Sequence, residues 1–104
     1  MENNINFIIE GSPNKEPIIF LHGVGGDSHS WDFQLEYFSK EYRAVAWDMP
    51  GYGSSKLQKD MTFEYLSESL LTMMDRLEIE KCHLVGHSMG GMVAQQAIAA
   101  DSNR

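Results

Sequence analysis

A serine with a glycine two positions away on each side is the feature of this chain that most directly points to chemistry. Gly86, Ser88 and Gly90 form the pattern G-x-S-x-G within "HLVGHSMGG", directly after an apolar run. A serine at such a sharp turn needs a strained backbone, and small neighbours avoid collisions there. The turn exposes the hydroxyl beside the N–H groups that begin a helix, which favour negative charge. The pattern predicts Ser88 as a nucleophile; the simpler alternative is a helix capped by Ser88.

A second glycine-rich segment, "HGVGG" at residues 22–26, follows an earlier apolar run. Acyl transfer by a serine needs N–H donors aimed at the oxyanion. One belongs to the residue after the nucleophile, and the other to a loop that follows an earlier strand. These rules predict the backbone N–H groups of Met89 and Val24 as the donors. Gly23 and Gly25, on either side of Val24, are the loop glycines of this predicted site.

Strands and helices must alternate along the chain to position these loops. Apolar runs predict strands, and apolar spacing of three and four predicts helices, with strands at 5–10, 18–22, 43–48 and 81–86 and helices at 31–42, 63–77 and 92–100. Unbroken apolar runs are typical of strands buried on both faces of a parallel sheet. The sequence therefore predicts an α/β fold with a mostly parallel sheet and helices on both faces, whose loops meet at the carboxyl edge of the sheet.

Some residues have predicted structural roles. Ser30 is expected to cap the first helix and Thr62 the second, because both carry a hydroxyl directly before a helical pattern. Met73, Met74 and Met92 lie on helix faces, where a flexible apolar side chain is expected to fill the core rather than to bind a cofactor.

Composition indicates one globular domain and excludes several classes of partner. Eight basic against fifteen acidic residues give a net charge of −7, so the sequence offers no basic stripe for nucleic acid or an anionic membrane. Cys82 is the single cysteine, which excludes an internal disulfide, and it is expected in the core. The N-terminus lacks a signal-peptide pattern, and the expected compartment is the cytoplasm. The histidines and acids show no metal-ligand spacing, and the predicted chemistry needs no metal or cofactor.

The segments "HGVG", "DMPGYGSS" and "GHSMGG" together resemble the α/β-hydrolase family, in the same order and along almost the entire chain. The resemblance implies Ser88 as the nucleophile, Val24 and Met89 as oxyanion donors, and residues 48–54 as a structural loop beside the site. Haloalkane dehalogenases and epoxide hydrolases carry an aspartate as nucleophile, so a serine argues against them. The sequence is most similar to serine-dependent lactonases, esterases, perhydrolases and carbon–carbon bond hydrolases, which implies a small acyl substrate.

The resemblance also predicts parts that the sequence lacks. The acid and the histidine of the family's triad follow the serine, whereas the residues after Ser88 contain no histidine and one acid, Asp101. Later strands, a cap and both triad residues are expected beyond Arg104. We therefore expect residues 1–104 to be the N-terminal part of an α/β-hydrolase domain and to be inactive in isolation.

None of the four histidines is predicted to be a general base for Ser88. His87 is expected to point away from the serine, and His83 to pack in the core. His29 is expected to face solvent. His22 ends its strand near the site, where the resemblance implies that it shapes the oxyanion loop.

Two other classes of function stay open at this point. A nucleotide-binding module is one, because residues 23–25 follow a strand and Asp48 ends the next strand about twenty-five residues later. Its third glycine position is Ser28, however, and "GHSMGG" is then unexplained. The other is a catalytically silent ligand-binding protein on the same fold. Neither the substrate nor the oligomeric state is predicted.

Overall fold

A computed structural model describes residues 5–53, 55 and 62–100. The elements in these ranges are β1 (Phe7–Glu10), β2 (Pro17–Leu21), a 3₁₀ helix (Ser28–Trp31), α1 (Asp32–Phe38), β3 (Arg43–Trp47), α2 (Phe63–Arg76), β4 (His83–Gly86) and α3 (Met89–Ala100). Their order confirms the predicted alternation of strands and helices. Ser54 and Asp101, which the sequence analysis named, lie outside the described residues.

The described strands form one sheet in the order β1-β3-β2-β4. β2 pairs in parallel with both of its neighbours, so that Ile19 lies opposite Val45 on β3 and Leu84 on β4. β1 pairs with β3 in the antiparallel direction. Parallel neighbours need a crossover connection, and α1 and α2 provide it. The sheet is therefore mostly parallel, as predicted, with β1 as the antiparallel exception.

Helices cover both faces of this sheet. Side chains alternate between the faces along a strand, so Ile19 and Val45 pack with α2 and α3, while Ile18 and Phe20 pack with Leu35 of α1. Full burial of a side chain of this size stabilises the fold by about 2 kcal/mol. The unbroken apolar runs of β2 and β3 thus belong to strands buried on both faces, as predicted.

β4 is less buried than the sequence predicts. His83 and Val85 lie opposite Ile18 and Phe20 in the sheet, but α1 does not extend across to them. His83 is therefore 53% exposed, with its Nε2 atom 3.2 Å from Oε2 of Glu16, and the prediction that it packs in the core is wrong. Leu84 and the half-buried Cys82 face the other side of the sheet and pack against the α2–α3 core.

The helix starts agree with the sequence in part. Thr62 caps α2, since its Oγ1 accepts the N–H three residues later at 3.0 Å. Before α1, however, the carboxylate of Asp27 caps the 3₁₀ helix by accepting the N–H of His29 at 2.9 Å. The hydroxyl of Ser30 instead accepts the N–H of Asp27 at 3.1 Å. Ser30 is therefore not the cap of α1, which begins after the 3₁₀ turn and is shorter than predicted.

The methionines on the helices differ in their burial. Met73 and Met74 are buried in the core as predicted. Met92 is 55% exposed, because it lies on the side of α3 that no described element covers, so its predicted core position is wrong. No helix in the described ranges has the length and apolar character needed to cross a membrane.

Candidate active site

Ser88 lies at the turn between β4 and α3. Its φ angle is +56°, in the left-handed region that few residues other than glycine adopt. Its carbonyl accepts hydrogen bonds from the N–H groups of Gly91 at 2.9 Å and Met92 at 3.3 Å, so the helix begins directly after the serine. The sharp, strained strand-to-helix turn that the sequence predicts is present.

The backbone of Ser88 does not fit the alternative of a simple helix cap. A capping serine has an extended backbone and accepts a helical N–H with its hydroxyl. Ser88 instead has a positive φ, and within the described ranges no N–H group donates to its Oγ atom. The Ser88 hydroxyl is therefore exposed at the turn and does not cap the helix.

Close packing of the main chain explains the glycines around Ser88. A Cβ atom on Gly90 would lie 2.2 Å from the carbonyl oxygen of Leu21, and one on Gly86 would lie 2.5 Å from the nitrogen of Gly91. Both distances are far below the 3.0 Å that real Cβ atoms respect. The end of β4, the start of α3 and the end of β2 therefore meet with no room for a side chain, which confirms the predicted reason for the spacing.

The loop after β2 touches the Ser88 turn at Gly23. A Cβ on Gly23 would lie 2.9 Å from the carbonyl oxygen of His87 and 3.0 Å from Cβ of Ser88. The next residue, Val24, is 71% exposed. Gly25 has a φ of +83° and open space around it. The fold thus brings the serine turn and the glycine loop together, although they lie far apart in the sequence.

The N–H groups of Val24 and Met89 donate to no acceptor in the described part of the chain. Met89 is the first residue of α3, where a backbone N–H has no partner within the helix. Val24 lies in the exposed loop. Both N–H groups are therefore without a protein acceptor among the described residues.

His22 fixes the peptide that carries the Val24 N–H. The Nε2 atom of this buried ring accepts the N–H of Met49 at 2.9 Å, so its proton lies on Nδ1, which donates to the carbonyl oxygen of Gly23 at 2.9 Å. The N–H of Gly26 donates to the same oxygen at 3.0 Å. Because C=O and N–H point in opposite directions in a trans peptide, the Val24 N–H points away from His22.

The predicted structural loop at residues 48–54, described up to Gly53, lies beneath the glycine loop. The ring of Tyr52 packs against the ring of His22, with 5.3 Å between their centroids. A Cβ on Gly53 would lie 2.4 Å from the carboxyl carbon of Asp48, so Gly53 makes room for a buried carboxylate.

A cavity of about 400 Å³ opens beside the glycine loop, and His87, Trp31 and Ser30 contribute side chains to its wall. The Nδ1 atom of His87 is 3.2 Å from the place of a Cβ on Gly23, the same place that Cβ of Ser88 approaches. His87 therefore turns toward the glycine loop, whereas strand periodicity predicts that it points away from Ser88. The prediction from the two-residue periodicity of strands is wrong for His87 because β4 ends at the residue before it.

None of the histidines, all of which are described, is hydrogen-bonded to Ser88. His22 uses both ring nitrogens in the contacts above. His29 is 71% exposed and lies 3.3 Å from Asp32, as its predicted solvent position requires. Neither His83 nor His87 has a hydrogen bond to the serine among the contacts of the described residues.

Similarity to known proteins identifies the family of this chain. A profile of the α/β hydrolase fold matches residues 16–104. The chain belongs to the α/β hydrolase fold family. This assignment agrees with the parallel sheet, the strained serine turn and the glycine loop.

Three curated members of the family illustrate the range of relatives. The dihydrolipoyllysine-residue acetyltransferase component of the acetoin cleaving system of Pseudomonas putida is 41% identical over 85 residues, covering 81% of this chain and 23% of the relative. The 3-oxoadipate enol-lactonase 1 of Acinetobacter baylyi is 37% identical over 86 residues, covering 83% and 32%. Epoxide hydrolase 4 of Mus musculus is 36% identical over 92 residues, covering 86% and 26%.

A solved structure shows the same fold. The enol-lactonase from Burkholderia xenovorans LB400 superimposes with a TM-score of 0.90 and 30% identity, covering 96% of this chain and 40% of the lactonase. The chain thus spans between 23% and 32% of the length of the curated relatives described above.

Proposed function

We propose that Ser88 is the nucleophile of an α/β hydrolase that acts on an ester, a lactone or a similar small acyl substrate. The observation that carries the proposal is the positive φ of Ser88 between a strand and a helix. That strain exposes the hydroxyl beside the N–H of Met89 and next to the loop of Val24. Backbone strain of this kind persists where function requires it.

In the proposed reaction, Oγ of Ser88 attacks the carbonyl carbon of the substrate and its proton passes to a general base. The carbonyl oxygen becomes an oxyanion, which the N–H groups of Val24 and Met89 stabilise; one such donor contributes about a hundred- to a thousandfold in rate. Collapse of the tetrahedral intermediate breaks the bond to the alcohol oxygen, which takes up the proton from the protonated base, and leaves an acyl-enzyme. Water then releases the acid and restores the serine. These steps require neither a metal ion nor an organic cofactor.

We propose that residues 1–104 belong to a longer polypeptide and that the general base and its acid partner lie outside these residues. Two facts support this. The described histidines make no hydrogen bond to Ser88, and the matched segment covers only 23% to 32% of the curated relatives. Since loss of the base costs a serine hydrolase about a millionfold in kcat, we expect the 104 residues alone to be inactive.

The relatives support acyl chemistry without fixing the substrate. Two of them are named for an acetyltransferase component and an enol-lactonase, and both names refer to reactions at an acyl carbon. A third is named for epoxide hydrolysis, for which the family resemblance implies an aspartate at the nucleophile position. Ser88 favours the first kind of chemistry.

Hydrolysis assays on paired polypeptides test this proposal. The native polypeptide and the 104-residue chain are assayed against p-nitrophenyl esters, small lactones and an epoxide. We expect turnover of esters or lactones by the native polypeptide, its loss in Ser88→Ala, and no turnover by the short chain. Epoxide turnover that survives Ser88→Ala would contradict the proposal.

A catalytically silent binding protein is the second candidate, favoured by the absence of a base in contact with Ser88 among the described residues. It predicts saturable binding of a small acyl ligand in the cavity beside Trp31, without turnover. It also predicts that Ser88→Ala leaves that binding unchanged in the native polypeptide.

A further inference from the structure

We propose that Asp48 is a positioning residue for the oxyanion donor at Val24. Residues 22–28, from His22 to Ser28, are called the Val24 loop below. Asp48 and its neighbour Met49 follow β3, and between them they hold both ends of this loop. The catalytic part of the inference rests on the proposed function, whereas the positioning of the loop does not.

Asp48 holds the far end of the Val24 loop. Its Oδ1 atom accepts the N–H of Ser28 at 2.7 Å. Asp48 is 3% exposed and Ser28 is 1% exposed, so water does not compete for this contact. A short bond from an N–H to a buried carboxylate is among the stronger hydrogen bonds in proteins. The start of the 3₁₀ helix is therefore fixed to the end of β3.

The carboxylate of Asp48 is itself fixed. Its Oδ2 atom accepts a hydrogen bond from Nδ2 of Asn6 at 2.8 Å, and the backbone N–H of Asp48 donates to the carbonyl of Asn6 at 2.9 Å. On another side, Gly53 packs so closely that any side chain there would collide with the carboxylate. The acceptor that receives the Ser28 N–H therefore cannot shift without breaking other contacts.

Met49 holds the near end of the Val24 loop through His22, as described above. The middle of the loop has little support: Val24 is 71% exposed, and a Cβ on Gly25 would have nothing within 4 Å. The position of the Val24 N–H consequently depends on the contacts of Gly23 and on the two anchored ends. Removal of the Asp48 anchor leaves the loop without the hydrogen bond that holds its far end.

This arrangement predicts a loss of rate rather than of substrate affinity. An oxyanion donor acts on the charge that develops in the transition state, so its displacement lowers kcat and leaves KM nearly unchanged. A displacement of about 1 Å in an active site costs about a hundredfold in rate. Asp48 touches no reacting atom and acts only through the loop.

The test uses the native polypeptide with Asp48→Asn, Asp48→Ala and Asn6→Ala. Glu16→Gln is the matched control, since it also removes one carboxylate charge but from an exposed side chain. Amide hydrogen exchange of Ser28 measures the protection that the hydrogen bond to Asp48 gives to the far end of the loop. Steady-state hydrolysis of a p-nitrophenyl ester, corrected by active-site titration with a fluorophosphonate, reports kcat and KM for correctly folded enzyme.

We expect kcat to fall about tenfold in Asp48→Asn and about a hundredfold in Asp48→Ala, with KM changed by less than about twofold. The Ser28 amide should exchange at least about tenfold faster in both variants, which corresponds to 1.4 kcal/mol of lost protection. Asn6→Ala should show a smaller effect in the same direction, because it removes the hydrogen bond that fixes the Asp48 carboxylate. Since Asn6 is exposed, this variant keeps the test available if the Asp48 variants fail to fold. Glu16→Gln should match the wild type.

Unchanged exchange at Ser28 and unchanged kcat in the folded variants would overturn the inference. So would a fall in titratable sites with unchanged kcat per site, because that result indicates a purely structural role. If the wild type shows neither turnover nor labelling, the proposed function fails, while the exchange rates still test whether Asp48 positions the Val24 loop.

Discussion

The Nε2 atom of His22 accepts the backbone N–H of Met49 at 2.9 Å, although 27 positions separate the two residues. This contact sets the ring so that its opposite nitrogen holds the Gly23 carbonyl. His22 therefore links the end of β3 to the glycine loop, in line with the loop-shaping role that the family resemblance implies. Its role is to orient a peptide rather than to transfer a proton.

We expect His22→Phe to lower the free energy of unfolding by about 1–3 kcal/mol, because the buried N–H of Met49 loses its acceptor while the ring volume is kept. Denaturant titration measures the difference. His29→Phe is the control, since His29 is exposed and should change stability by less than about 0.5 kcal/mol. Equal effects of the two substitutions would contradict the role of His22.

Adjacent glycines in α3 should respond to alanine with opposite signs. Gly90→Ala places a methyl group 2.2 Å from the carbonyl oxygen of Leu21, and we expect a loss of about 3 kcal/mol from this collision. In Gly91→Ala the new methyl meets its nearest neighbour at 3.6 Å, and the gain in helix propensity should stabilise the protein by about 0.5–1 kcal/mol. Thermal denaturation measures the stability of both variants against the wild type. A Gly90→Ala protein as stable as the wild type would refute the close packing at the turn.

The sequence was informative wherever a short segment decides the structure. Unbroken apolar runs predicted buried parallel strands because such strands face helices on both sides. The spacing of Gly86, Ser88 and Gly90 predicted the strained turn because the collisions that require glycine arise within or next to the motif.

Contacts between distant segments were not predictable in this way. The hydrogen bond between Asn6 and Asp48 joins positions 42 residues apart, and nothing in either segment indicates it. His83 was misplaced because its burial depends on how far α1 extends over β4, which strand periodicity does not report. His87 was misplaced because the strand ends one residue before it.

The cap of α2 gives a local test of the helix analysis. Thr62→Ala removes the acceptor for the N–H three residues later and should lower the free energy of unfolding by about 1 kcal/mol. Thr62→Ser keeps the hydroxyl and should stay within about 0.5 kcal/mol of the wild type. Denaturant titration of the pair measures the cap, and equal stabilities of the alanine and serine variants would exclude it.

Covalent labelling tests whether Ser88 is an activated nucleophile. The most direct measurement is to treat the native polypeptide with a fluorophosphonate and to locate the adduct by peptide mass spectrometry, with Ser88→Ala as the control. We expect stoichiometric phosphonylation of Ser88, protection by a competing ester, and no labelling of the variant. An unlabelled Ser88 in a polypeptide that hydrolyses esters, or equal labelling of the Ser88→Ala variant, would contradict it.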